Sequence, residues 1–195
     1  PLHAVEGLLR AVSDWLLTVS EQLIAQFPNS FHLLISKLIE ILRSQPDQGS
    51  SGIVRRDKAP DWVMEALNAA VGKIAQMLWK DPKVASLHAA DGLPSEWSEQ
   101  LGDLLALPGD LRRHALVICA RNLDWFHLID PHWTERQLLA ILDGDDDDDR
   151  NALWSGFFWG GKTPGMRLYL RLKPKLLAFT SAPRLSQRDQ DNVLA

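Results

Sequence analysis

The chain has 195 residues, enough for one domain or for one with an appendage, and 46% of them belong to the apolar set AVILMFWYC, which excludes a disordered tail, a collagen and a linker. With 21 basic and 25 acidic residues the formal net charge is −4, at odds with a dedicated nucleic-acid binder, and a single cysteine excludes an intramolecular disulfide. No apolar run reaches the ~18 residues of a membrane span and no basic-then-apolar leader opens the chain, so a cytoplasmic protein is expected.

The chain opens on Pro1, which implies either a removed initiator Met or a piece of a longer protein. Val5, Leu8, Leu9, Val12, Leu16, Val19 and Leu23 then recur at helical spacing until Pro28-Asn29 breaks the pattern. Phe31, Leu34, Ile35, Leu38 and Ile41 resume it, so residues 1–44 are expected to form an antiparallel helical hairpin. Residues 45–59, rich in Gly, Ser, Pro and charge, read as a mobile loop and a boundary. The main domain is expected over 60–180, followed by a polar tail at 181–195.

Within that domain Pro60 is expected as a first helical residue with Asp61 in the first turn, on a helix through Val63, Leu67, Ala70, Val71, Ile74 and Leu78 to Lys80. Asp81-Pro82 stops it. Ser95 is placed to cap a helix through Leu105, and Asp110 to cap one running to Ile129. This last helix is apolar on two stripes, which implies burial between neighbours. Asp130-Pro131 reads as a cap and first residue, and Thr134 with Gln137 as a capping box. A helix through Leu153, Trp154, Phe157 and Phe158 follows an acidic run, and a last one carries Met166 to Leu172, with Pro174 as a kink or stop. The expected class is all-α with about eight helices, either stacked pairs in a solenoid of HEAT or armadillo type or an irregular helical bundle.

The sharpest motif is a literal phosphate-loop pattern, G-x-x-x-x-G-K-T, from Gly156 through Gly161, Lys162 and Thr163. In that reading backbone amides and Lys162 grip nucleotide phosphates and Thr163 holds magnesium. The expected context is wrong, because residues 151–158 read as helix rather than strand and Pro164 lacks an amide where donors are wanted. A glycine-rich turn between helices is the expected outcome, with no cofactor. Asp143, Asp145 and Asp147 match positions 1, 3 and 5 of a calcium loop, but Asp148 and Trp154 occupy the positions that demand Gly and Glu. Those carboxylates are expected to serve the N-terminus of the following helix, and no metal site is expected. His3, His32, His88, His114, His127 and His132 show no ligand spacing, and Cys119 reads as a small core residue, so no catalytic set is expected.

From Asn151 to Arg188 there is no acid but seven cations: Lys162, Arg167, Arg171, Lys173, Lys175, Arg184 and Arg188. Arg167, Arg171 and Lys175 form a candidate face for an anion or a partner. The plainer reading is a solvated face balanced by the Asp run.

Several phrases together carry a resemblance: Asp61-Trp62, Ala66-Leu67-Asn68-Ala69, Val71-Gly72-Lys73 and Trp79; Arg121-Asn122-Leu123-Asp124-Trp125 leading to Ile129-Asp130-Pro131-His132-Trp133-Thr134-Glu135-Arg136 and Leu138-Leu139; and Trp154-Ser155-Gly156-Phe157-Phe158-Trp159 before Leu172-Lys173-Pro174. Over residues 61–177 the chain resembles an all-helical domain of unknown function toward the C-terminal end of large bacterial proteins. Some of these carry a sirtuin-like, NAD-consuming domain and are associated with defence against phage. Ala70 stands where that pattern has Pro, and the first 60 residues match nothing. The resemblance carries over no catalytic residue. It implies a non-catalytic interaction or regulatory module that contacts other domains of the same polypeptide or a protein partner, possible roles being to sense a trigger or restrain an effector. The competing readings are a nucleic-acid-binding domain using the 162–188 segment and nucleotide binding at the 156–163 loop.

Overall fold

The computed structural model describes residues 7–56 and 58–180. Val5 of the first stripe, His3, Arg184, Arg188 and the expected tail lie outside the described residues. Among the described residues there are eleven α-helices, two short 3-10 turns and no strand, which makes the fold all-α. None of these helices is long and apolar enough to cross a membrane.

Helices α1 (Leu8–Gln26) and α2 (Pro28–Ser44) form the N-terminal hairpin. A single residue, Phe27, separates them: its amide closes α1 on the Leu23 carbonyl, and Pro28 cannot continue that ladder. The inner face of α1 alternates large and small, with Leu9, Leu16 and Ile24 between Ser13 and Ser20. The buried hydroxyls donate to carbonyls of their own helix, Leu9 O at 2.8 Å and Leu17 O at 2.9 Å, and so cost no unmet bond. On α2 Phe31, Ile35 and Leu38 of the expected stripe are buried and Leu34 packs against the core, but the buried face is turned somewhat to one side of it. Ile41 is exposed, whereas His32, Ile39 and Leu42 are buried. The His32 ring explains the turn, since its Nδ1 meets Gln100 Oε1 at 2.9 Å and its Nε2 lies 3.3 Å from Asp81 Oδ2.

The 45–59 segment begins with a 3-10 turn, Pro46–Gly49. It is anchored where mobility was expected: Gly49 lies against Leu42 and Leu111, Ser51 O accepts from Arg10, and Arg55 pairs with Glu65.

The two long helices expected next are each divided, which raises the count above eight. Helix α3 (Trp62–Asn68) is capped by Asp61, whose Oδ1 accepts from the Met64 amide, so the helix starts two residues after the expected first residue, Pro60, and Asp61 is its cap and not part of its first turn. It breaks at Ala69, in an extended conformation, before α4 (Ala70–Leu78). Gly72 permits this junction, because a Cβ there would sit 1.9 Å from Ala66 O. The short α5 (Pro82–Ala85) is capped by Asp81. Ser95 opens α6 (Ser95–Leu105) as its first residue and makes no cap bond, and Asp110 lies inside the first turn of α7 (Gly109–Ala120) instead of capping it. The expected continuation to Ile129 breaks at Asn122 and resumes as α8 (Leu123–Ile129).

Asp130 caps α9 (Pro131–Gln137) as expected, accepting from the Trp133 amide at 2.9 Å. The Thr134 capping box does not form, because Thr134 is inside that helix with its hydroxyl donating to Asp130 O. After a second 3-10 turn, Leu139–Asp143, come α10 (Asp147–Gly160) and α11 (Met166–Thr180). Trp154 is mid-helix, and Pro174 lies inside α11, so of the two expected outcomes it is not a stop.

Helix α7 is enclosed by α3, α4, α6 and α10, and its residues from His114 to Ala120 are buried. That is the burial its two apolar stripes implied. The hairpin joins the same core, α1 against α4 and α2 against α6, and one apolar cluster runs from Leu9 to Leu172.

Candidate functional site

The phosphate-loop pattern folds as the end of a helix. Gly156 lies inside α10, where a Cβ would fall 2.3 Å from Val117 O, so it serves close approach to α7. Gly161 is the left-handed C-cap at φ 60°, with its amide on Phe158 O at 3.0 Å. Lys162 and Thr163 are exposed beyond it, and Pro164 precedes α11. Among the described residues no strand leads in, and Gly161 closes a helix instead of opening one, so Gly156, Gly161, Lys162 and Thr163 do not form a nucleotide cradle of that kind.

The candidate basic face is largely neutralised from within. Arg171 Nε meets Glu135 Oε2 at 3.1 Å, its Nη2 meets Asp143 Oδ2 at 3.0 Å, and Lys175 Nζ meets Asp143 Oδ1 at 2.6 Å. Hydrogen bonds from Lys175 and Arg171 hold the Asp143 carboxyl below the usual range. Of the three candidates, only Arg167 has no acid partner among the described residues. The balance by the Asp run is therefore visible in the fold.

The rest of that run also has defined work. Asp146 caps α10 by accepting from the Asp149 amide at 2.9 Å, and this bond foremost lowers its carboxyl. Asp149 is buried between Arg112 Nη1 at 2.6 Å and Arg113 Nε at 3.0 Å. Cys119 is buried in the core, and burial pushes its thiol far up, which removes it as a nucleophile.

The largest polar constellation was not legible in the sequence. Arg55 grips Glu65 with two nitrogens, at 2.9 and 2.6 Å, and reaches Asp110 Oδ2 at 2.7 Å. Asp110 Oδ1 accepts in turn from Arg113 at 2.8 Å, which continues to Asp146 and Asp149. Both guanidinium groups cover Trp62, Arg55 at 4.9 Å from the ring centroid and Arg113 at 5.7 Å. Burial opposes the charge of Asp110, but the Arg113 and Arg55 hydrogen bonds outweigh it and lower its pKa; Glu65 foremost raises that of Arg55. This network ties the 50–61 loop, α3, α7 and the start of α10 together.

Beside it opens a cleft of about 460 Å³ lined by residues of the loop, Glu65, Asp110 and His114. His114 is 2% exposed, and neither ring nitrogen has a hydrogen bond. Its Nε2 lies 3.6 Å from Glu65 Oε2, too far for one. Burial holds the imidazole pKa down and the Glu65 charge opposes that less strongly. Both Glu65 oxygens accept from Arg55, which fixes the carboxylate beside His114 and ties α3 to the loop. A sequence signal existed only in pieces, as Arg112-Arg113 and the Asp run; their meeting needed the fold.

No protein-family model, no curated protein and no solved structure matches this chain in comparison.

Proposed function

We propose that this chain is a non-catalytic helical interaction module of the cytoplasm, an irregular bundle around α7 that docks a protein partner through the outer face of α11. The observation that carries the reading is the apolar stripe on that face. Met166, Tyr169 and Leu170 fall on one side of the helix, and Met166 and Leu170 are 70% and 61% exposed. The opposite side is already used, with Leu168 and Leu172 buried and Phe179 5.4 Å from the Trp154 ring. A helix apolar on both faces fits between two bodies. Lys173 sits within the stripe and Arg167 beside it, neither with an acid partner among the described residues. Charge complementarity then asks for a partner with an apolar groove and an acidic rim. The resemblance over residues 61–177 supports a regulatory role toward an NAD-consuming effector in a bacterial defence protein.

The test places a photo-crosslinking amino acid at Leu170, or at the exposed Gln22 on α1 as control, in the producing cell. The expected result is one discrete protein adduct at Leu170 that Lys173→Glu removes, with none at Gln22. Absence of an adduct at Leu170 from a folded protein overturns the reading.

A further inference from the structure

A second cleft, of about 310 Å³, lies between α1, the end of α4, the α7–α8 junction and the end of α10. Gly160 makes it possible: a Cβ there would lie 2.6 Å from Arg121 O, so α10 can end directly against the junction and bring Lys162 to the same cleft as Arg121 and Lys80. Apart from the Trp79 indole, the polar side chains lining it are cationic or amide, and no acid lines it. Lys80 is met by Glu21 at 2.6 Å. Arg121 and Lys162 meet no carboxylate among the described residues. The Arg121 guanidinium lies over the Trp159 ring, 4.1 Å from its centroid, which holds it at the cleft. Trp79 also lines the cleft, and its Nε1 is the one buried indole nitrogen without an acceptor among the described residues. Leaving such a donor unmet is costly.

All three cations follow helix C-termini, where a positive charge answers the partial negative end of the helix. They do not act as caps, however. The closing carbonyls are taken by main-chain amides: Lys80 N on Met77 O at 2.9 Å, Arg121 N on Val117 O at 3.1 Å and Gly161 N on Phe158 O at 3.0 Å. The Arg121 and Lys162 side chains line the cleft with no carboxylate on them among the described residues, while Lys80 is held by Glu21.

We infer that this cleft binds a small molecule bearing a phosphate group, with Arg121 and Lys162 on the phosphate. Two unpaired cations match a dianion, and the arginine fork suits its oxygens. Leu17 and Ile118 supply an apolar wall for the remainder of the ligand. At about 310 Å³ the space sits near the low end of the ~300–1,000 Å³ of ligand pockets, the size for a single phosphorylated metabolite rather than a polymer. Lys162 of the glycine pattern thus acts in a site of different construction from a phosphate loop. The inference uses no residue of the outer face of α11.

The experiment is calorimetric titration of the chain at low salt with ribose 5-phosphate, inorganic phosphate and a single-stranded oligonucleotide. The expected result is saturable binding of the sugar phosphate, weakened about tenfold or more in Arg121→Gln/Lys162→Gln with the unfolding midpoint unchanged. It should move the Trp79 indole N–H resonance, assigned through Trp79→Phe, and persist in Leu170→Glu. Absence of saturable binding by either small phosphate, binding indifferent to the double variant, or binding by the oligonucleotide alone overturns the inference.

Discussion

His114 is surrounded by charge yet stays neutral, because burial outweighs the attraction of Glu65 and Asp110, and Arg55 adds to the opposition. In the unfolded chain an imidazole takes its proton near ~6.5. In the folded chain it does so at lower pH, so between those two values the unfolded state binds more protons. Stability from this group is therefore complete above ~6.5, declines as the pH falls below it and levels off under the folded value. Asp110, Asp143 and Asp146, all held down, lose their contributions only in the more acid range below ~4. Urea unfolding from about pH 7 to about pH 5 should show a falling free energy whose slope His114→Gln flattens. An unchanged slope would mean that the folded imidazole takes up its proton over the same range as the unfolded one.

At the scale of elements, the contact of α10 with α7 rests on one missing side chain. A Cβ at Gly156 would meet Val117 O at 2.3 Å and Ala120 Cβ at 2.9 Å, and backbone cannot swing aside as a flexible side chain can. Gly156→Ala should cost about 3 kcal/mol or more by overpacking. Gly161→Ala meets open space and bears only the left-handed backbone cost of about 1–2 kcal/mol. Chemical denaturation of the two variants should rank them in that order; the reverse order would deny the close approach. Helix α11 is held more by Leu168, Leu172 and Phe179 than by its ion pairs, since partly exposed pairs contribute about 0–1 kcal/mol each.

Taken whole, the molecule has one apolar cluster in which Leu16, Ile35, Ile74, Ile118 and Leu153 all take part. The hairpin and the remainder should therefore melt together. Far-UV dichroism and tryptophan fluorescence are expected to give coincident thermal transitions, and Ile35→Ala to lower both by the same amount. Two separated transitions would show that the hairpin folds as a unit of its own. The Arg55 network works at this scale as well, because it fastens a loop and three helices around Trp62.

The all-α class, the buried character of α7, the Asp130 cap and the helical setting of Gly156 were legible in the sequence, because periodicity and local side-chain bonds depend on residues within a turn or two. The breaks at Ala69 and Asn122 were not. Apolar spacing runs through both, and what interrupts the helices is packing, as where Gly72 meets Ala66 O. Nor could the sequence pair Arg55 with Glu65 and Asp110, Lys175 with Asp143, or Lys162 with Arg121. These partners lie tens of residues apart or sit in a segment that composition reads as loose. Charge balance along a chain is a sum, whereas the balance at a site depends on distance, and only tertiary structure sets the distances.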